Sequence, residues 1–62
     1  MRRSDLLKRL RQLAKEAGVV FEITEGGSHS KVHLGDRFVI VPRHNEVNEL
    51  TAKAILRDAK GD

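Results

Sequence analysis

The chain has 62 residues, of which 39% are apolar and 34% charged, with a formal charge of +3. That length holds one small domain, residues 1–62, with a thin core, and two phenylalanines as the only aromatics leave little to line a deep cofactor pocket, so no cofactor is expected. The absence of cysteine excludes a disulfide framework, a zinc ribbon, an iron–sulfur site and a thiol nucleophile together, and the longest apolar run, residues 38–41, is far too short to cross a bilayer.

The positive charge is uneven. Residues 1–17 carry six basic and two acidic side chains, residues 18–36 carry Lys31 against Glu22, Glu25 and Asp36, and residues 37–62 carry five basic and four acidic ones. A basic first segment favours a polyanionic partner, nucleic acid before membrane because no strongly apolar face accompanies it. The plainer alternative is a solvated helix face. The early arginines are not followed by an apolar block, so no signal peptide and a cytoplasmic location are expected.

Ser4 followed by Asp5 reads as an N-cap with an acidic first turn. Leu6, Leu7, Leu10, Leu13, Ala14 and Ala17 then recur at helical spacing, with Lys8, Arg11 and Lys15 opposite and Gly18 at the C-terminal end; the first helix covers residues 4–17. Residues 19–24 alternate as a strand, with Val19, Phe21 and Ile23 on one side and Val20, Glu22 and Thr24 on the other. A glycine-rich loop follows. Residues 29–34 alternate again, Ser30, Val32 and Leu34 against His29, Lys31 and His33, and Gly35-Asp36 makes a two-residue hairpin turn into a third strand, residues 37–41, closed by Pro42. Residues 43–48 form a polar connection. Asn48 or Thr51 caps a second helix running to about Lys60, with Ala52, Ile55, Leu56 and Ala59 as its apolar stripe, Lys53, Arg57 and Lys60 on its far face, and Gly61 as its stop.

The order α-β-β-β-α makes an α+β domain. A three-stranded antiparallel sheet needs one covered face, and both helices on that face would bury Leu6, Leu10, Leu13, Ile55 and Leu56 against Phe21, Ile23, Val32, Phe38 and Ile40. The open face would then carry Glu22, Thr24, His29, Lys31, His33 and Arg37, with Val39 and Val41 among them. Val20, Val39 and Val41 between charges would suit a protein interface.

Chemistry concentrates in Gly26-Gly27-Ser28-His29-Ser30-Lys31. The glycines allow a tight turn, and His29 at the loop–strand junction displays a side chain whose ordinary pKa, about 6.5, suits proton transfer near neutrality. A basic neighbour such as Lys31 helps bind a phosphodiester and stabilises the charge of its transition state. The commonplace reading of such a histidine is an ordinary surface residue.

Gly27-Ser28-His29 after the first strand, the hairpin at Gly35-Asp36, Val39-Ile40-Val41-Pro42-Arg43-His44, and the C-terminal helix Leu50-Thr51-Ala52-Lys53-Ala54-Ile55-Leu56-Arg57-Asp58-Ala59 together resemble the HicA toxin family. The resemblance covers nearly the whole chain. It implies a fold similar to the double-stranded-RNA-binding domain, an mRNA interferase activity that cleaves messages, an essential catalytic histidine at the position of His29, and a HicB-type antitoxin that covers that region. Many members carry a second histidine or a bulky residue where this chain has Ser30. The chemistry that fits is metal-independent: His29 takes the 2′-hydroxyl proton of RNA, and Ser28, Lys31, His33 and Arg37 are the candidate substrate contacts. Protonation of the leaving oxygen falls to His33, His44, Lys31 or water.

Rival readings are a metal site, a serine nucleophile, a non-catalytic RNA-binding module and a structural interaction protein. His29 and His33 are ~13 Å apart on an extended strand, too far to share an ion with His44. Ser28 has no evident orienting carboxylate. The RNA-binding module would use Lys8, Arg11, Lys15, Lys53, Arg57 and Lys60 along phosphates by shape recognition. The interaction protein would use the open sheet face only to dock a partner.

Overall fold

In the computed structural model, which describes residues 1–61, the chain runs α1 (Arg3–Ala17), β1 (Phe21–Glu25), β2 (His29–Leu34), β3 (Arg37–Pro42) and α2 (Glu49–Lys60). Asp62, the last residue of the expected domain, lies outside the described residues. The element order is the expected one, and the three strands form one antiparallel sheet in the order β1-β2-β3.

Local signals set most of the element ends. Asn48 caps α2, its Oδ1 accepting from the Leu50 N–H at 2.8 Å, so of the two cap candidates Thr51 is the one inside the helix. Gly18 and Gly61 close the two helices in left-handed conformations. At the start of α1 the expectation fails. The helix begins at Arg3, Ser4 lies in its first turn, and Arg2 stands at the cap without a side-chain bond. The reason is tertiary: Arg2 is bridged to Glu46 and the Arg3 N–H donates to the Asn45 carbonyl at 2.9 Å, so a distant backbone anchors a start one residue earlier, and the Leu6 N–H, which a Ser4 cap could have taken, bonds the Arg2 carbonyl at 3.0 Å.

β2 is the central strand. The Gly35-Asp36 turn, with Gly35 at φ 62°, pairs Leu34 with Arg37, and the Gly35 N–H donates to the Val20 carbonyl at 2.8 Å. A β-carbon on Gly35 would also stand 3.0 Å from that of Val19, so glycine serves both the turn and the close approach. β1 starts at Phe21 rather than at residue 19.

Both helices lie on one face of the sheet. Leu6, Leu10 and Ala14 of α1 and Ala52, Ile55 and Ala59 of α2 share one buried cluster with Val32, Leu34, Val39 and Val41. The alanines let the helices sit close, and valines fill the shallow space beneath them. Val47, inside the connection expected to be polar, is buried as well.

The phase of β3 is opposite to the expected one. Phe38 and Ile40 are 52% and 45% exposed, whereas Val39 and Val41 are 6% and 0% exposed. Directly opposed residues share a face, and the register sets Val39 against Val32, Val41 against Ser30 and Arg37 against Leu34. Val39, Val41 and Arg37 therefore belong to the helix-covered side, and Phe38 and Ile40 join Lys31 and His33 on the open one. Ile23 has the expected orientation, opposite Val32, but β1 is an edge strand and leaves it exposed. Leu13, Phe21 and Leu56 are half-buried at the margin of the core.

Leu10→Ala, in a fully buried position, is expected to cost about 2–5 kcal/mol in chemical denaturation. Val41→Ser should destabilise by more than 1 kcal/mol while Ile40→Ser stays within ~0.5 kcal/mol, the order the register requires.

Candidate functional site

His29 stands at one end of the β2–β3 ladder, opposite Pro42, immediately after a two-residue turn. Glu25 pairs with Ser30, and the Gly26 N–H donates to the His29 carbonyl at 2.9 Å, which leaves Gly27 and Ser28 as the turn itself. A β-carbon on Gly26 would lie 2.8 Å from that carbonyl oxygen, whereas one on Gly27 would meet nothing within 4 Å. The first glycine is needed for closure of the turn; the second is not. Ser28 and His29 are exposed, with the serine hydroxyl 3.1 Å from His29 Nδ1.

A polar network supports this turn from the helix side. Ser30 is fully buried; it receives a hydrogen bond from the Arg3 guanidinium and donates its hydroxyl to the Glu25 carboxylate. Arg3 also donates through Nε to the Pro42 carbonyl at 3.1 Å and lies 3.7 Å from Glu25. Just past β3, Arg43 donates through Nη1 to the Gly26 carbonyl at 2.8 Å, and its N–H reaches the Ser28 carbonyl at 3.2 Å. Both flanks of the turn are thus tied to β3 and α1. The Glu25 carboxyl is held below its ordinary pKa, first by the Ser30 hydrogen bond and then by the charges of Arg43 and Arg3, with partial desolvation opposing them.

Of the residues singled out in the sequence, Ser28 and His29 are together. Lys31 and His33 follow on the same face of β2 at steps of about 7 Å, opposite Ile40 and Phe38. Lys31 Nζ lies over the Phe38 ring, 4.5 Å from its centroid, and the His33 and Phe38 rings are 6.0 Å apart. Arg37 is not part of this group. It sits at the far end of the ladder and on the other side of the sheet, where its guanidinium approaches Gly61 at the end of α2, because the two-residue turn pairs it with Leu34. Ser30, the residue directly after His29, faces inward and is covered. Arg43 is the residue that the sequence reading left without a role; its place directly after the strand-ending Pro42, across from Ser28, was the available signal. On α1, Arg11 packs over the Phe21 ring at 5.5 Å, so part of the basic stripe is engaged in covering the sheet edge.

A family model, described as the HicA toxin of bacterial toxin–antitoxin systems, matches residues 7–60. The chain belongs to the HicA toxin family. It is therefore a toxin of the toxin–antitoxin type, and the match spans β1, the His29 turn, β3 and all of α2. No curated protein and no solved structure matches the chain. Among the described residues no helix is long and apolar enough to cross a membrane.

Two outcomes test this construction. Gly26→Ala should lower stability and shift the NMR resonances of the His29 ring, and Gly27→Ala should leave both nearly unchanged. Since the folded-state pKa of Glu25 is depressed, its contribution to stability is complete above the ordinary value of 4.5 and is lost as pH falls through the lower folded value. Acid titrations of stability should accordingly be shallower below that pH for Glu25→Gln than for the wild type.

Proposed function

We propose that this HicA-family toxin is a metal-independent endoribonuclease of messenger RNA in which His29 is the catalytic base. The observation that carries the reading is the His29 ring itself, exposed at the lip of a braced turn within the segment matched by the family model.

In the tautomer that this role requires, Nδ1–H donates to the Ser28 hydroxyl and the Nε2 lone pair is left to accept a proton. Nε2 takes the proton of an RNA 2′-hydroxyl. The 2′-oxygen then forms a bond to the adjacent phosphorus while the bond to the 5′-oxygen breaks, and water or a nearby acid supplies a proton to the departing oxygen. The products are a 2′,3′-cyclic phosphate and a 5′-hydroxyl end. His33 is ~13 Å along the strand from His29, which disfavours it as that acid, whereas Arg43, directly across from Ser28, leads straight into His44.

Ser28 in this scheme positions the ring. Lys31 and Arg43 supply positive charge for the phosphate and for the extra charge of the transition state. Requiring a 2′-hydroxyl restricts the reaction to RNA. A HicB-type antitoxin would neutralise the toxin by covering the His29 lip, with acidic groups complementary to Lys31 and Arg43. Action on messages puts the working location in the cytoplasm.

Expression of the chain alone should arrest growth and generate transcript fragments with 5′-hydroxyl ends. His29→Ala should abolish both effects while melting within the range of the wild type, because the ring is exposed. Retained toxicity in that variant, or intact transcripts under wild-type expression, would overturn the assignment.

A further inference from the structure

The open face of the sheet holds a feature that a proton-transfer site does not require. Phe38, one of two aromatic residues in the chain, is half-exposed there together with Ile40, although both belong to the third strand of a small domain short of apolar side chains for its core. Around Phe38 stand Lys31, whose ammonium lies over the ring, and His33, tilted at 45° to it. Resting on the proposed nuclease reading, we infer that Phe38 is a stacking platform for an unpaired base of the RNA strand, and that the toxin therefore binds its substrate single-stranded.

Three observations converge on that occupant. First, His29, Lys31 and His33 form a file along β2 at intervals of about 7 Å, close to the separation of successive phosphates in an extended single strand. Second, the register sets Phe38 beside this file, opposite His33, so a strand whose scissile phosphate meets His29 carries a base to the ring a short way along. Third, an aromatic face next to cationic side chains on an open sheet is the arrangement that binds single strands: the ring takes a base, and the cation takes its phosphate. In the free protein the Lys31 ammonium occupies the ring face. An exposed cation–π contact is weak, so a base can displace the ammonium, which then turns to the backbone. A duplex keeps its bases stacked internally and offers none to the ring.

The test separates binding from cleavage. Fluorescence anisotropy with labelled single-stranded and double-stranded RNA oligonucleotides of mixed sequence is measured on His29→Ala, which holds the substrate uncut, and on its Phe38→Leu, Phe38→Trp and Phe38→Ser derivatives. Stacking predicts preference for the single strand, a loss of roughly ten-fold in affinity with Leu and Ser, and retention with Trp. Leucine keeps the apolar bulk and removes the π face, so Leu matching Phe would overturn the proposal and leave the patch as a protein-docking surface. Equal affinity for duplex and single strand would overturn it too. Thermal melts verify that the variants are folded, as expected for an exposed position. Transcript cleavage by the wild type is read independently: cleavage with unaltered binding in Phe38→Leu refutes the platform alone, and intact transcripts refute the nuclease reading.

Discussion

Everything in this domain depends on the register of β2 between its two neighbours. The strand is paired on both edges, and a turn of two residues at each end leaves no slack in either ladder. A slip of one residue would exchange the two faces. Ser30, Val32 and Leu34 would emerge into water, and His29, Lys31 and His33 would be driven under the helices, where three basic side chains have no partners. The penalty for burying them makes the observed register the only economical one. The strand that completes the core is thus also the strand that displays the chemistry.

The connection between the two faces runs through a single small side chain. Ser30 is buried in the helix-covered layer, yet it touches Glu25 and Arg3, and Arg3 also holds the end of β3. A larger residue at this position would have to displace the Arg3 side chain. A nonpolar one would leave the Arg3 guanidinium without one of its acceptors. Together with Arg43, which holds the Gly26 carbonyl, this network gives a short exposed turn a fixed geometry that its own backbone would not provide. For the proton transfer proposed for His29, such fixation matters more than burial.

The outer face brings together two imidazoles, a lysine and an aromatic surface. None of them contributes much to stability. Phe38 keeps its ring contacts to an exposed Lys31 and a half-buried His33, and about half of the surface of Phe38 and Ile40 remains in water. In so small a domain, leaving those two side chains outside costs core volume that the valines and alanines beneath the helices only partly replace. The helix-covered face is devoted to folding and the other is free for contacts.

Much of this was readable from local pattern. The two helices and their glycine stops, a cap at Asn48 or Thr51, the inward set of β2, the hairpin at Gly35-Asp36 and the exposure of His29 each follow from a short-range rule, helical spacing, capping or alternation, which acts within a few residues. The start of α1 did not follow, because Arg3 takes a backbone partner from Asn45, more than forty residues away. Nor did the phase of β3. Residues 38–41 are apolar throughout, so alternation is silent there, and side-chain size points to Phe38 and Ile40 as core. The two-residue turn already implied the pairing of Leu34 with Arg37, but only the assembled sheet makes that pairing outweigh size. Tertiary structure alone decided that Arg37 leaves the site, that Arg43 enters it, and that Val47 is buried. Side chains from distant parts of the chain share a site only through the register and packing that bring them together.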